Sequence, residues 1–410
     1  MATSIRSSIG AALAALLAAL LTSACSAPSP PGPRLVIEPD DGRGFILEAI
    51  AGATRNIRLT IYEITDLASV EQTPAAPARS VVQALIDAAH RGVDVRVIVD
   101  QGQYGSGSSS QQIQQTVGAM RNAGIQVNLS STAFCVTHQK TFVIDGPASG
   151  FAGSAGKALI MSLNMMPGYF GGTRDYAVVT ADLGVVREAS QVFEWDFALP
   201  DPQTGCAYAY TPATTNPPPS ASDTPPLSQA SLLFSPVNSK PRLLEIIGSA
   251  RQSLDLTTEE LGDNDSICAI RAVALSVARP SVRILLSGDT GSNAAAVKTL
   301  LALGLPNLSI RVMPGVPPPS GDPSFQTPLY MHGKQVIADG VRAFVGSENL
   351  TNTSLIQNRE LGIHFDDAGM IARLQAAFTS DFTTPGNSLP AQVCTSGNQC
   401  VTVSCPPAVR

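Results

Sequence analysis

The sequence HQKTFVID at positions 138–145 recurs in altered form as HGKQVIAD at positions 332–339. Both stretches read H-x-K-x-x-x-x-D, and they contain two of the four histidines in the chain. In each, the His and Lys precede a short apolar run typical of a buried strand, and strand alternation places both side chains on one face. An imidazole beside a fixed cation suits chemistry on an anionic phosphoryl group. Because the pattern occurs twice, we expect one site built from two halves.

Length and composition indicate a globular protein. The chain has 410 residues, of which 44% are hydrophobic, so one large domain or two fused domains are expected. The formal net charge is −6 and the isoelectric point is near 5.3, which gives no overall attraction for nucleic acid. The overall charge does not exclude a local basic groove. Composition therefore counts against a nuclease without excluding it.

The N-terminal residues 1–27 are typical of a targeting segment. Arg6 supplies a positive charge, and the Ala/Leu run Ile9–Leu21 is too short to span a bilayer stably. The run leads to Cys25, and the segment resembles a bacterial lipoprotein signal, in which lipid is attached to that cysteine. Ordinary cleavage near Ala27 and an uncleaved anchor are the alternatives. We expect an exported protein: a cell-envelope lipoprotein, or a periplasmic or secreted protein.

The remaining cysteines favour an oxidising compartment. Apart from Cys25 there are six, an even number that suits disulfides in an exported chain, although the sequence does not determine which of them pair. Their spacing does not match a zinc site, so no metal is expected. The six are Cys135, Cys206, Cys268, Cys394, Cys400 and Cys405.

Aligning the two motifs reveals an internal repeat of alternating helices and strands. In the first half the predicted helices and strands alternate as Gly44–Ala51, Arg58–Glu63, Ser80–His90, Val93–Val99, Gln111–Ala123 and Ile125–Leu129. In the second half they alternate as Arg242–Ala250, Ser253–Thr258, Ser266–Val277, Ser281–Leu286, Ala294–Leu303 and Leu308–Val312. Apolar strands between amphipathic helices predict an α/β fold with a mixed sheet flanked by helices.

The repeat also predicts the domain organisation. Residues 34–200 form the N-terminal half and residues 230–386 the C-terminal half, and the two share one active site at their interface. Between them, residues 201–229 are rich in Pro, Ser and Thr and read as a linker. Residues 387–410 form a cysteine-containing tail. We expect two pseudo-symmetric halves and a monomer, since one chain supplies both motifs.

The second half identifies a family resemblance. After the motif come Gly346-Ser347-Glu348-Asn349 and then Asn358-Arg359-Glu360. This order resembles the phospholipase D superfamily of phosphodiesterases, specifically its exported bacterial members, over about residues 35–385. The resemblance implies two pseudo-symmetric α-β-α halves and no cofactor.

The first half departs from the family pattern. Gly153-Ser154 lies at the expected spacing but lacks the Asn, so we align Ile160–Asn164 with the Gly-Ser-x-Asn segment, with Met161 in place of the Gly. Thr173-Arg174-Asp175 then parallels the Asn-Arg-Glu segment of the second half.

The resemblance implies a role for each residue at the site. His138 would attack phosphorus, and His332 would protonate the leaving alcohol. The substrate phosphate would be held by a set of cationic and polar side chains: Lys140, Lys334, Asn164, Asn349, Ser162 and Ser347.

Four acidic residues complete the predicted site. Asp175 would orient His138 and Glu360 would orient His332. The alternative is that these two acids only pair with the neighbouring arginines. Asp145 and Asp339, the last residues of the motifs, are expected to brace the local turn.

The sequence favours a phospholipid substrate at a membrane surface. Export, the acidic balance and the apolar loop Met165–Gly172 support hydrolysis of glycerophospholipids to phosphatidic acid and a head-group alcohol, with transfer to another alcohol as a variant. The loop could line an acyl-chain entrance, or it could pack in the core. The alternatives for function are a metal-independent nuclease, a cardiolipin-synthase-type transferase and a non-catalytic phospholipid-binding module. Nucleic acid is not the expected partner.

Overall fold

The computed structural model describes residues 32–67, 72–73, 76–77, 80–147, 156–199, 231–313, 315–318, 328–384 and 403–405. The predicted signal peptide with Cys25, the Gly153-Ser154 pair, the linker and most of the tail lie outside the described residues.

The first half alternates strands and helices as predicted. Its elements are β1 (Arg34–Glu38), α1 (Gly44–Ala51), β2 (Asn56–Ile61), β3 (Gln72–Thr73), β4 (Ala76–Pro77), α2 (Val81–His90), β5 (Asp94–Val99), α3 (Gln101–Ser106), α4 (Ser110–Asn122), β6 (Gln126–Leu129), β7 (Thr141–Ile144), β8 (Lys157–Met161), α5 (Tyr169–Gly172), β9 (Thr173–Thr180) and α6 (Leu183–Ala198). β2 ends at Ile61, so Tyr62 and Glu63 follow the strand rather than belonging to it.

The second half repeats this order without the short β3–β4 pair and without a counterpart of α3, and it adds the short strand β14. Its elements are β10 (Leu232–Ser235), α7 (Ser239–Ser249), β11 (Ser253–Thr258), α8 (Asn264–Leu275), β12 (Ser281–Leu286), α9 (Asn293–Leu301), β13 (Leu308–Val312), β14 (Tyr330–Met331), β15 (Lys334–Ala338), β16 (Arg342–Gly346), α10 (Asn352–Ile356), β17 (Glu360–Phe365) and α11 (Ala368–Thr383).

The two sheets share one topology. The first has the strand order β1-β9-β8-β7-β2-β5-β6 and the second the order β10-β17-β16-β15-β11-β12-β13. In each, three strands run parallel and the others pair antiparallel, which is the predicted mixed sheet. β14, a short strand of the second half, pairs parallel with β9 of the first half. The pseudo-symmetric α/β fold is confirmed.

An apolar layer joins the halves. Beside one core cluster in each half, a third cluster combines buried residues of both, among them Val143 and Ile160 of the first half with Ile337 and Val345 of the second. Each such fully buried side chain contributes roughly 1.5–3 kcal/mol relative to exposure. The interface therefore holds the two motif strands, β7 and β15, in fixed positions.

Two buried ion pairs reinforce this interface. Arg174 Nε of β9 donates to Asp381 Oδ2 of α11 at 2.7 Å, and Arg359 Nη2 donates to Asp196 Oδ1 of α6 at 2.6 Å. Each arginine thus binds the closing helix of the other half. Asp175 and Glu360 are left available for other contacts.

One of the expected disulfides lies within the described residues. Cys268 of α8 is bonded to Cys405 of the tail, with Cα atoms 5.4 Å apart. In the part of the chain that the structure describes, no helix is both long and apolar enough to cross a membrane.

Candidate active site

Each His-x-Lys segment lies against the backbone of the opposite half. His138 N donates to Arg359 O at 2.9 Å, and Gly333 N donates to Arg174 O at 2.7 Å. These bonds are made by the residue that immediately precedes each acid, Glu360 and Asp175. Each histidine is therefore placed beside the acid of the other half.

The histidine–carboxylate pairs consequently cross between the halves. His138 Nδ1 lies 2.9 Å from Glu360 Oε2, and His332 Nδ1 lies 2.9 Å from Asp175 Oδ1. The assignment inferred from the resemblance, Asp175 to His138 and Glu360 to His332, is wrong. The two imidazole centroids are 6.5 Å apart, so both rings face one common space.

The surroundings of His138 favour a neutral imidazole. Burial lowers the pKa of His138 to about 4, an effect that Glu360 opposes and Lys140 reinforces. At neutral pH the ring then donates through Nδ1–H to Glu360 and exposes a lone pair on Nε2. Burial alone would raise the pKa of Glu360, but His138 and Lys140 outweigh it and hold that pKa below its ordinary value. A neutral imidazole in this orientation can act as a nucleophile through Nε2.

The acid of the second pair is also ionised. Burial would raise the pKa of Asp175, but His332 and Lys334 outweigh it, and the pKa lies below its ordinary value. A carboxylate at Nδ1 fixes the ring orientation and stabilises a proton-carrying imidazolium. His332 is therefore suited to deliver a proton from Nε2.

The two motif lysines are buried beside the histidines. Lys140 Nζ donates to His138 O at 2.6 Å, and Lys334 Nζ donates to His332 O. Burial lowers the pKa of Lys140 to about 7, Glu360 opposes that change, and Lys334 adds to it. Both amines keep further donor positions that can bind oxygens of an anion.

The two serines that were predicted to bind phosphate support the carboxylates. Ser162 Oγ donates to Asp175 Oδ1 at 2.5 Å, and Ser347 Oγ accepts from Leu361 N at 3.1 Å and contributes to the lowered pKa of Glu360. Both serines are fully buried behind the histidines. Strand pairing directs both serines toward the acids, so the structure gives them a supporting contact there, and phosphate binding by them stays a prediction.

The two asparagines occupy equivalent positions in the halves. β8 pairs Met161 with Lys140, just as β16 pairs Gly346 with Lys334, so Asn164 and Asn349 correspond. Their amides already bind carboxylates. Asn164 Nδ2 donates to Glu63 Oε2 at 2.8 Å, and Asn349 Nδ2 donates to Glu259 Oε2 at 3.2 Å. A bound phosphate would have to replace these acids as the acceptor.

The motif aspartates lie at the far end of their strands, away from the imidazoles. Asp145 accepts from the backbone N–H of residues 54–56, and Asp339 accepts from that of residues 251–253. Both have left-handed backbones, with φ of 51° and 56°. These contacts fix the turns after β7 and β15. The structure does not bring either aspartate into the catalytic centre.

Sequence reasoning missed Glu259, which lies at the centre of the site. Its Oε2 accepts from Lys334 Nζ at 3.0 Å and lies 3.7 Å from His332 Nε2, while its Oε1 accepts from Tyr330 Oη at 2.7 Å. Burial would raise the pKa of Glu259, but Lys334 and His332 outweigh it and hold the pKa well below its ordinary value. The available signal was an acid directly after the apolar strand β11.

Aromatic side chains enclose the imidazoles. Tyr62 meets the His138 ring edge-on at 4.7 Å, and Tyr169 meets the His332 ring edge-on at 5.0 Å. The loop Met165–Gly172, which contains Tyr169, is mostly buried in the first-half core. Its packing favours the core interpretation over an acyl-chain entrance.

A match to a family model shows which protein family the chain belongs to. The model described as "Cardiolipin synthase, PLD-like domain" matches residues 46–197 and 243–382, which together are more than half of the chain. The chain belongs to the phospholipase D superfamily. The two matched segments fall in the two halves, so the superfamily membership inferred from the motifs is confirmed. No curated protein sequence matches the chain.

Solved structures of this superfamily fold extend over most of the chain. Phosphatidylserine synthase from Haemophilus influenzae superimposes with a TM-score of 0.55 at 14% identity, covering 86% of each chain. Polyphosphate kinase from Porphyromonas gingivalis superimposes with a TM-score of 0.54 at 16% identity, covering 85% of this chain but only 46% of the kinase. The chain therefore spans less than half of that kinase. At these identities the comparisons show a shared fold.

Proposed function

We propose that this phospholipase D superfamily member hydrolyses glycerophospholipids to phosphatidic acid and a head-group alcohol through a phosphohistidine intermediate. One observation carries the proposal: two imidazoles with centroids 6.5 Å apart, each held at Nδ1 by a buried carboxylate of the opposite half. This arrangement directs two Nε2 atoms toward one common space, one suited to attack and the other to proton transfer.

The first step transfers the phosphatidyl group to His138. Its Nε2 lone pair forms a bond to phosphorus while the bond from phosphorus to the head-group oxygen breaks. His332 gives its Nε2 proton to that oxygen, so the head group leaves as an alcohol rather than as an alkoxide. The phosphorylated imidazole carries positive charge, which Glu360 stabilises through the Nδ1–H hydrogen bond. Lys140 and Lys334 neutralise charge on the non-bridging oxygens.

The second step releases the product. Water loses a proton to His332 Nε2 and attacks phosphorus, and the bond to His138 breaks. Phosphatidic acid leaves, and both histidines regain their starting protonation states. If an alcohol takes the place of water, the same step transfers the phosphatidyl group to it. Hydrolysis and transfer therefore differ only in the acceptor.

The charge of the site supports a lipid over a nucleic acid substrate. Besides the two carboxylates that hold the histidines, Glu63 and Glu259 lie beside the proposed phosphate-binding asparagines. A polyanion would meet these carboxylates as well as the two lysines, and like charges suppress such partners. A diester with one negative charge is a better match.

A phosphatidyl transferase is the second candidate function. The family match to the PLD-like domain of cardiolipin synthase supports it, and so does the similar length of phosphatidylserine synthase. Both names refer to reactions in which an alcohol accepts a phosphatidyl group. The two candidate functions differ in whether water or an alcohol is the acceptor.

Substrate comparison tests the proposal. Purified protein in EDTA is incubated with phosphatidylcholine, phosphatidylethanolamine, cardiolipin and single-stranded DNA, with and without added glycerol. We expect phosphatidic acid from the zwitterionic lipids and none from a His138→Asn control. Cleavage of DNA alone would contradict the lipid assignment. A product formed only with glycerol would identify a transferase, and no turnover of any substrate would favour a binding module.

A further inference from the structure

The carboxylate of Glu259 occupies the place where the second half would bind substrate phosphate. One of its oxygens accepts hydrogen bonds from Lys334 Nζ at 3.0 Å and Asn349 Nδ2 at 3.2 Å, and lies 3.7 Å from His332 Nε2. These three groups are the ones that the proposed mechanism assigns to the phosphate and its leaving oxygen. The carboxylate therefore stands in for a phosphate oxygen.

The first half has no such carboxylate at the equivalent position. Parallel pairing begins at Asn56 of β2 and Ser253 of β11, so the residue after each strand is Tyr62 in one half and Glu259 in the other. Tyr62 presents its ring to His138 and to Lys140, whose Nζ lies 5.1 Å from the ring centroid. An acid at this strand-end position is thus specific to the half that protonates the leaving alcohol, whereas in the first half the carboxylate on Asn164 comes from the next residue, Glu63.

Phosphate bound at the position of the Glu259 carboxylate would displace that carboxylate from Lys334. Two anions cannot share Lys334 and Asn349 without strong repulsion. Once phosphate takes these donors, Glu259 loses its cation and keeps only the hydrogen bond from Tyr330 Oη, which is 2.7 Å long. A buried carboxylate without a cationic partner is unfavourable.

We propose that Glu259 is a specificity-determining residue that selects phosphodiesters whose leaving alcohol carries a positive charge. Phosphate then takes over Lys334, and the substrate cation takes over Glu259. One internal ion pair is exchanged for two intermolecular ones, and no charge is left without a partner. The inference rests on the proposed function and names its substrate class: zwitterionic rather than anionic diesters.

The surroundings of Glu259 fit a cationic group. Tyr330 lies beside it with its ring centroid 6.4 Å from that of His332, and Tyr169 lies on another side of His332. Electron-rich rings next to a carboxylate bind ammonium groups well. The side chain of Glu259 is 20% exposed, so a head group can reach it from solvent.

A head-group exchange experiment tests this inference. The ratio of kcat/KM for dihexanoyl phosphatidylcholine to that for dihexanoyl phosphatidylglycerol is measured by mass spectrometry of released phosphatidic acid. The variants are Glu259→Gln and, as a matched control, Glu260→Gln, whose carboxylate contacts Ser292 Oγ at 3.2 Å. We expect the wild-type ratio to favour phosphatidylcholine, Glu259→Gln to lower it by roughly tenfold or more, and Glu260→Gln to preserve it.

The outcome on the two lipids decides the inference. A rise in phosphatidylglycerol turnover with a fall in phosphatidylcholine turnover supports charge selection by Glu259. An unchanged ratio, or a parallel loss on both lipids, overturns it.

A binding measurement keeps this result separate from the proposed function. Calorimetry with glycerophosphocholine and glycerophosphoglycerol compares the same variants without requiring turnover. If the wild type hydrolyses neither lipid but Glu259→Gln still removes a preference for glycerophosphocholine, the proposed hydrolysis fails and the inference stands. Equal binding of both head groups by the wild type would overturn the inference alone.

Discussion

Removing the carboxylate of Glu360 should disable His138 as a nucleophile. Glu360 is fully buried, and its Oε2 lies 2.9 Å from His138 Nδ1. Phosphorylation of Nε2 places a positive charge on this ring. A unit charge about 4 Å from a carboxylate is stabilised by roughly 4 kcal/mol at an effective dielectric constant of 20. Glu360→Gln removes that attraction, so phosphorylation should slow by on the order of 10³-fold.

The crossed pairing makes the effect of each acid depend on the leaving group. 4-Nitrophenol leaves without a proton, so it does not need the general acid His332 or its partner Asp175. With bis(4-nitrophenyl) phosphate, Asp175→Asn should slow the first turnover by less than about tenfold, whereas Glu360→Gln should slow it by on the order of 10³-fold. With dihexanoyl phosphatidylcholine, both variants should be slow by on the order of 10³-fold.

A stopped-flow burst of 4-nitrophenolate measures the first turnover directly. Glu348→Gln is the matched control, because this acid is equally buried but accepts from Ser239 rather than a histidine. It should leave the burst rate unchanged. A burst that survives in Glu360→Gln and disappears in Asp175→Asn would refute the reasoning. In that case a burst that also survives in His138→Asn would show that the two histidines exchange roles.

Three further predictions concern pH, packing and stability. We expect kcat/KM to rise through pH about 4 as His138 loses its proton and to fall above pH about 7 as Lys140 loses its proton. A fall above pH about 7 that persists in an active Lys140→Arg variant would argue against the assignment of this fall to Lys140. A Cβ on Gly333 would lie 2.5 Å from the buried ring of Tyr176, so Gly333→Ala should destabilise the fold by roughly 1–3 kcal/mol in urea denaturation and lower kcat; an unchanged midpoint would contradict the packing. Burial, Asp175 and Asp41 raise the pKa of Glu38 to about 8, so the protein loses stability as pH rises from the pKa of Glu38 in the unfolded state toward 8. Glu38→Gln should therefore raise the free energy of unfolding by up to roughly 4 kcal/mol at pH 8 but hardly at pH 4. Equal effects at both pH values would refute this.

The repeat and the catalytic histidines could be predicted because their signals are local. Apolar runs of strand length alternate with amphipathic helices in both halves, and the sheets have matching strand orders. The alignment of Asn164 with Asn349 also follows from the sequence, since strand pairing places both beyond the residue opposite the motif lysine. Local periodicity therefore predicts the fold class and the positions of the motif residues.

The pairing across the halves could not be predicted, because it depends on long-range backbone contacts. β14 pairs with β9, and Thr137 bridges to Arg359, so each histidine meets an acid from the opposite half. An alignment of the two halves cannot show this crossing, because both pairings preserve the symmetry. The contacts of the two serines could not be predicted for the same reason, since only the strand register shows that they point toward the acids.

Glu259 was missed because the first half has a tyrosine, Tyr62, at the matching position, so the repeat does not mark an acid there. It became visible only through its contacts with Lys334 and Asn349. The signal in the sequence was an acid, Glu259, directly after a buried strand where the other half has a tyrosine.

Trapping the covalent intermediate tests the central claim most directly. The His332→Asn variant is incubated with bis(4-nitrophenyl) phosphate, whose leaving group needs no proton from His332, then quenched in base, digested and analysed by mass spectrometry. We predict a 4-nitrophenyl phosphate adduct on His138, because the water that would release it lacks its base, and no adduct in a variant that also carries His138→Asn. An adduct on any other residue, or turnover by the double variant, would contradict one active site in which His138 attacks and His332 transfers the proton.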